Sequence, residues 1–382
     1  MKPATRPQGS SHASARVGIV GGGQLARMLA QAAIALSVSL DVFTDDADES
    51  TSSLLAHHGL DGGDPAAWLG LVDVVTFEHE LLALDRVRAM EAAGLVVRPS
   101  SAVMALSNKA TQRQTLGELG FPVPDFATTT TAEGVVAFAQ RHGWPVVVKL
   151  ASGGYDGRGV WMVDDADGLA AIPIDGRELV VEPRLALERE IAVQVARRPS
   201  GDIVVYPIVE TVQRDGMCRE VIAPAPITPQ LAAAADQLAR DLAHAIDLAG
   251  FLAIELFVVD GQLVVNELAP RVHNSGHYSI EGCRTSQFEN QLRAVLDWPL
   301  GSSQLLAPYA VMVNVVGSDD GDPTDRVADA LLIDDVHIHL YGKSWRPGRK
   351  LGHVTVLGGD VDVARGRAHA AVRALGGLAM DA

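Results

Sequence analysis

Cysteine is nearly missing from this sequence: Cys218 and Cys283 are the only two. Two thiols build neither a disulfide framework nor a CxxC metal site, and they suit a reducing compartment. Aromatic residues are also few, at 5%. With hydrophobic residues at 48% and 37 glycines, the cores have to be aliphatic, which suits α/β architectures. Basic residues number 31 against 47 acidic ones, a formal net charge of −16. Nucleic acid is therefore not an expected partner, although a small anionic substrate is compatible with basic side chains gathered locally. No apolar run is long enough to span a membrane, so none is expected to. Residues 1–15 lack the apolar core of a secretory signal and read as a disordered extension, and a cytoplasmic chain is expected. There is no internal repeat or low-complexity tract. A length of 382 residues implies two or three domains at about 100–200 residues each.

What is present begins at Arg16. RVGIV reads as a strand, GGGQLARM as a glycine turn opening a helix to about Leu36, and SLDVF as a second strand. Strand, turn, helix and strand make a βαβ unit. LVDVVTFEHE and GLVVRPS read as further strands, and this first domain should end near residue 105. A helix follows with Ser107 as N-cap and Gly120 as its stop. The middle region then changes to short β-runs, predicting an antiparallel or mixed sheet. A long Ala-rich helix from about Thr228 to Ala249 precedes the hairpin AIELFVVDGQLVVNEL. The last region carries more strands and a final helix.

Several clusters point to chemistry. Gly21, Gly23 and Ala26 fit G-x-G-x-x-A, with Asp41 and Asp45 about twenty residues on. Three readings stay open here: a dinucleotide fingerprint, a cradle for another phosphate, and a plain tight turn. Lys149 closes the strand PVVVK and enters Ser152-Gly153-Gly154-Tyr155-Asp156-Gly157-Arg158-Gly159, where a lysine and loop amides can hold phosphate oxygens. Glu255 and Glu267 lie on paired strands around Asp260-Gly261, and two carboxylates plus phosphate oxygens suit Mg²⁺. A two-residue turn would set Glu255 opposite Asn266 and send Glu267 to the other face. Sharing a metal therefore predicts an odd-length loop with Gly261 in the left-handed region. After Glu267, Arg271, His273, Asn274 and Ser275 crowd one loop: Arg271 offers a planar fork for an anion and His273 a titratable donor. Lys343, Arg346, Arg349 and Lys350 form a basic cluster suited to phosphate or carboxylate.

Together these residues resemble the ATP-grasp superfamily and, within it, the N5-carboxyaminoimidazole ribonucleotide synthases. The stretches GGGQLARM, GGYDGRG, NELAPRVHNSGH and RPGRKLGH carry the likeness, which runs from about Arg16 into the C-terminal region. The resemblance implies an α/β and α+β architecture. Its parts would be a Rossmann-like parallel-sheet domain (16–105), an ATP-grasp domain (106–300, with a lid at about 125–190) and a small C-terminal domain (301–382).

It also implies the reaction: bicarbonate joined to 5-aminoimidazole ribonucleotide through carboxyphosphate, with ATP going to ADP and phosphate. The implied cofactor set is ATP with two Mg²⁺ on Glu255 and Glu267, replaceable by Mn²⁺, and the implied assembly is a homodimer. By position, the nucleotide would be held by Lys109, Lys149, the loop Gly154 to Val160, the hinge Glu182-Pro183-Arg184-Leu185, Glu190, Gln213, Asn266 and Glu267. Arg158, Arg271, His273, Asn274 and Lys350 match the bicarbonate side. Gln24, Glu78, Tyr155, Asp156, Lys343 and Arg349 match the aminoimidazole ribonucleotide pocket. The chain departs from the family pattern at Gln213, often a histidine, and at Pro183, which lacks an amide donor. Competing readings are a formate-using glycinamide ribonucleotide transformylase, a biotin carboxylase, an NAD(P) oxidoreductase built on Gly21, and a nucleotide sensor without turnover.

Overall fold

The computed structural model describes residues 14–46, 49–59, 64–80, 82–154 and 158–378. Tyr155, Asp156 and Gly157 lie outside the described residues, as do residues 1–13 of the expected extension.

The chain opens with β1 (Arg16–Val20), α1 (Gln24–Leu36), β2 (Ser39–Phe43), β3 (Ala56–His58) and β4 (Val74–Phe77), whose strands form a parallel sheet in the order β3-β2-β1-β4. Short aliphatic strands with buried residues on both faces favour this arrangement. Leu25, Met28, Leu29 and Ala33 repeat at helical spacing and form the buried face of α1. GLVVRPS extends the sheet only as a short parallel bridge of Val97 to Val75, with Val75 N donating to Val96 O at 2.8 Å and Arg98 N to Val75 O at 2.9 Å. Pro99 follows closely and has no N–H to carry a ladder onward.

Next come α2 (Leu84–Ala92), α3 (Ser101–Met104) and α4 (Lys109–Glu118). The cap of α4 is Asn108 and not Ser107: Thr111 N donates to Asn108 Oδ1 at 2.9 Å, while the Ser107 hydroxyl turns back to Met104 O at 2.7 Å. Gly120, at φ +79°, ends the helix as anticipated.

A second, four-stranded antiparallel sheet follows, in the order β5-β8-β6-β7: β5 (Ala127–Thr129), β6 (Val146–Leu150), β7 (Val160–Val163) and β8 (Leu179–Pro183). Packed on it is α5 (Ala132–His142), a helix that the β-rich reading of this region did not single out. Its signals were present: Thr131 caps Gly134 N at 3.2 Å, and Gly143 closes it at φ +88°.

The largest sheet has nine strands: β9 (Arg189–Arg197), β10 (Ile203–Val205), β11 (Val209–Arg214), β12 (Met217–Ala223), β13 (Gly250–Val259), β14 (Gln262–Ala269), β15 (Tyr309–Val316), β16 (Val336–Leu340) and β17 (Lys350–Gly358). Its path runs β14-β13-β9-β11-β12-β15-β17-β16, with β10 beside β9, so the C-terminal strands continue the central sheet through the β12–β15 pair. The helices with it are α6 (Pro229–Ala245), α7 (Ser279–Gly282), α8 (Gln287–Val295), α9 (Val327–Ala330) and α10 (Val361–Ala374). One buried cluster joins α1 to α8 and the sheet, with Leu25, Leu29, Phe251, Phe288 and Leu292 as members. Fully burying each such side chain stabilises by about 1.5–3 kcal/mol, so this shared core fixes the N-terminal sheet beside the central one. Among the described residues, no helix is long and apolar enough to cross a membrane.

Candidate active site

The β13–β14 hairpin sets the geometry. Its turn is the tight two-residue form: Val259 pairs with Gln262, and Asp260 and Gly261 sit at φ +48° and +69°. Asp-Gly suits a type I′ turn, so the expected odd-length loop is wrong. The register changes further along the hairpin. Leu256 pairs with Val265 but Glu255 with Glu267, leaving Asn266 as a β-bulge. Two residues against one shift the alternation by a single step. The bulge thus does what the turn was expected to do, and Glu255 and Glu267 meet on one face.

Their electrostatics suit a cation. Burial pushes the Glu255 carboxyl up to about 7, helped by the like charges of Glu267 and Glu190 and opposed by Lys109 and Lys350. Asn266 Nδ2 donates to Glu255 Oε2 at 3.2 Å, and His273 Nε2 lies 3.7 Å from Glu255 Oε1. Lys109 Nζ holds Glu267 Oε1 at 2.6 Å. Among the described residues, no group of three or more His, Cys, Asp or Glu forms a protein-only metal cage. Two opposed carboxylates suit a hard ion that completes its shell with phosphate oxygens and water.

Lys149 lies one residue before the end of β6, with Nζ 2.7 Å from Glu182 Oε2 and 3.2 Å from Asn266 Oδ1. Burial lowers its pKa, and Glu182 acts against that. Burial raises Glu182 in turn, but Lys149 and Arg113 more than reverse it, and its carboxyl ends below the ordinary range. Arg113 was missed by the sequence reading. It lies four residues after Lys109 on α4, a spacing that puts both on one helix face. Glu182 and Pro183 end β8, and Arg184 N donates to Pro145 O at 3.1 Å, so the expected hinge is the link from the four-stranded sheet into β9. Burial raises the pKa of Glu190, which hydrogen-bonds Gln213. These two expected nucleotide residues are thus adjacent.

The described ends of the glycine-rich loop adjoin Lys149. Lys149 pairs with Val160 at the start of β7, Gly159 adopts φ +75°, and Arg158 is exposed. A small cavity is lined by Glu80, Lys109, Ser152, Gly153, Gly154 and Glu267.

Across the cleft, Arg271 is already engaged. Its guanidinium forks onto Glu80: Nη2 donates to Oε1 at 2.8 Å, and Nε donates to Oε2. Burial alone would raise Glu80, but Arg271 holds its carboxyl down at about 2. The fork expected to await an anion therefore lies on the chain's own carboxylate. Glu80 was another miss, since the reading of FEHE singled out only Glu78. His273 is gripped by Gln287, which accepts from its N–H at 2.9 Å and donates to its carbonyl at 2.8 Å. The Asn274 carboxamide pairs reciprocally with Asn314, at 2.9 and 2.8 Å. Lys350 starts β17 and lies close enough to Glu255 to oppose its pKa rise.

The glycine turn of the N-terminal sheet is filled from within. Glu78 Oε2 accepts from Leu25 N and Ala26 N, both at 3.0 Å, and a Cβ on Gly23 would stand 2.2 Å from Glu78 Oε1. This carboxylate occupies the helix N-terminus where a dinucleotide pyrophosphate would sit, which opposes the oxidoreductase reading. Gln24 begins α1 beside it. The basic C-terminal loop approaches the same corner: Ser50 Oγ donates to Tyr341 O, and a Cβ on Gly342 would meet Arg27 Nη1 at 3.1 Å. Lys343 Nζ lies over the Tyr341 ring at 5.8 Å, and Arg349 donates to Ser344 O at 2.9 Å.

Comparison with known proteins agrees with this arrangement. Residues 14–108 match the ribonucleotide synthetase preATP-grasp domain, residues 114–288 the ATP-grasp domain, and residues 310–367 the phosphoribosylaminoimidazole carboxylase C-terminal domain. The N5-carboxyaminoimidazole ribonucleotide synthase of Mycobacterium tuberculosis is 44% identical, over 93% of this chain and 86% of that one. The N5-carboxyaminoimidazole synthetase of Staphylococcus aureus, complexed with ADP, has a TM-score of 0.85 at 30% identity, over 94% of this chain and 97% of that one. The Aspergillus clavatus synthase, in complex with ADP and 5-aminoimidazole ribonucleotide, has a TM-score of 0.85 at 31% identity, over 95% and 99%. By fold, site and sequence, this chain belongs to the N5-carboxyaminoimidazole ribonucleotide synthase family of ATP-grasp ligases.

Proposed function

We propose that the protein joins bicarbonate to the exocyclic amine of 5-aminoimidazole ribonucleotide at the expense of ATP, by way of carboxyphosphate. A bicarbonate oxygen attacks the γ-phosphorus and ADP leaves. The mixed anhydride breaks to CO₂ and phosphate, and the amine nitrogen attacks the carbon and loses a proton. The observation that carries this reading is the bulged hairpin, which sets Glu255 opposite Glu267 with Lys109 and Lys149 at its edge.

Mg²⁺ held by Glu255 and Glu267 would supply charge neutralisation on the β- and γ-phosphates. Lys109, Lys149 and the Gly154–Val160 loop bind the phosphates. The hinge from Glu182 to Leu185, with Glu190 and Gln213, holds the nucleoside. Arg271, His273, Asn274, Lys350 and Arg158 face bicarbonate and its phosphorylated form, where donors stabilise oxygen charge as it develops. Arg271 does so once the anion competes with Glu80 for its fork. Gln24, Glu78, Lys343 and Arg349 take the ribonucleotide, together with Tyr155 and Asp156. The division into domains near residues 105 and 300, a homodimeric assembly and a cytoplasmic location belong to the same proposal.

The test is a product assay with labelled bicarbonate. Label should enter an acid-labile carbamate only when ATP, Mg²⁺ and aminoimidazole ribonucleotide are all present, with ADP formed in step. Label entering glycinamide ribonucleotide or biotin instead would move the chain to another ATP-grasp ligase class.

A further inference from the structure

Arg113 has no exposed surface. A guanidinium persists in such a place only where its charge and donors are answered. On α4 it is met from three directions. Nε donates to Glu182 Oε1 at 2.5 Å, Nη1 to Gln112 Oε1 at 3.2 Å, and Nη2 to the main-chain oxygen of Asn266 at 2.6 Å. The last partner is the informative one, because Asn266 is the bulged residue of β14.

The hairpin has a competing arrangement. Its type I′ turn is compatible with an unbroken register, in which Glu255 faces Asn266 and Glu267 points to the opposite face. Something outside the hairpin has to favour the bulge. β14 is the edge strand of the central sheet, and two groups cover that edge here: Pro122 O accepts from Val265 N at 2.8 Å, and Arg113 holds the next carbonyl. Lys149 takes the Asn266 side chain at 3.2 Å, so the bulged residue is held by main chain and side chain at once.

We propose that Arg113 is a positioning residue whose guanidinium locks the Asn266 bulge and thereby turns Glu255 and Glu267 toward a single divalent cation. The inference rests on the reading of that hairpin as the cation site of a nucleotide-binding cleft. Arg113 itself touches neither nucleotide nor substrate. Its effect passes through strand register.

The test is the Mg²⁺ dependence of ADP binding, measured by calorimetry on the intact chain, for the parent and for Arg113→Lys. Lysine keeps the charge but cannot reach Glu182 and the Asn266 carbonyl together. The half-saturating Mg²⁺ concentration should rise roughly tenfold, while affinity for aminoimidazole ribonucleotide stays within about twofold. A folded Arg113→Lys protein with the parent's Mg²⁺ requirement overturns the proposal. So does an equal weakening of both ligands, which would mark Arg113 as a general structural support.

Arg113→Met, which leaves Lys149 to balance Glu182, carries the test if the lysine variant does not fold. A raised Mg²⁺ requirement in the methionine variant supports the bulge lock. The parent's value there would overturn it. ADP binding that ignores Mg²⁺ in the parent would sink the cation-site reading and the inference together, whereas a Mg²⁺-dependent parent with an indifferent variant sinks only the inference.

Discussion

On the proposed nucleotide side of the cleft, Lys109 and Lys149 end on carboxylates of strands in the matched ATP-grasp region, Glu267 at 2.6 Å and Glu182 at 2.7 Å. On the opposite side, Arg271 reaches out of that region to Glu80, in the loop after β4 of the N-terminal sheet. That side is thus assembled by paired strands and the start of α4. The Arg271 side depends on how two sheets meet. Strand pairing fixes side-chain faces rigidly, and an ion pair between separate units can be exchanged for another anion. A site that holds a nucleotide and admits a small oxyanion needs one half of each kind.

The largest effect should come from the paired strands. Glu267→Gln removes a carboxylate and leaves the Lys109 charge unmatched. Turnover should fall by roughly a thousandfold in a variant that still folds, as circular dichroism would check. Turnover within tenfold of the parent would show that the hairpin is not the metal-binding half.

The acceptor corner gives a smaller effect. Gly23→Ala places a Cβ against Glu78, which is pinned by Leu25 N and Ala26 N. The KM for aminoimidazole ribonucleotide should rise roughly tenfold and that for ATP should not move. Parallel changes in both constants would erase the proposed split between the two sides.

The inter-sheet pair should show itself in pH dependence. Glu80 is held at about 2, below its usual 4.5. Its pairing therefore stabilises the fold fully above about pH 4.5 and loses that effect as pH falls toward 2. Glu80→Gln should be less stable than the parent by about 1–3 kcal/mol at pH 7, and the gap should close below pH 4.5. A gap independent of pH in denaturant titrations would mean that Arg271 is held by something other than this carboxylate.

The smallest effect belongs to the turn. Gly261→Ala strains a residue at φ +69° and should cost about 1 kcal/mol by thermal melting, with kinetics intact. Impaired Mg²⁺ dependence in that variant would show that the turn helps set the register near Asn266.

Much of this was legible along the chain. RVGIV-GGGQLARM-SLDVF became β1, α1 and β2, because a short aliphatic run, a glycine turn and a 3.6-residue apolar repeat are local signals. Gly120 ended its helix for the same kind of reason. Glu255 and Glu267 were selected correctly as facing partners for the wrong cause. The Asp-Gly turn obeyed its local preference, and the bulge at Asn266 answered to Arg113 and Lys149 from distant segments. Arg113 and Glu80 stayed hidden because a single charged residue carries no periodic signal. Their importance comes from burial and from partners 69 and 191 positions away.

The sequence by itself therefore determined the family, most of the elements and many of the chemical groups, since each of those rests on residue types at short spacing. Only the tertiary structure decided which groups face one another. The Asn266 bulge, the Glu78 carboxylate on the α1 N-terminus and the Arg271–Glu80 fork each depend on contacts between segments far apart in the chain, where close packing and the need to pair every buried charge select one arrangement.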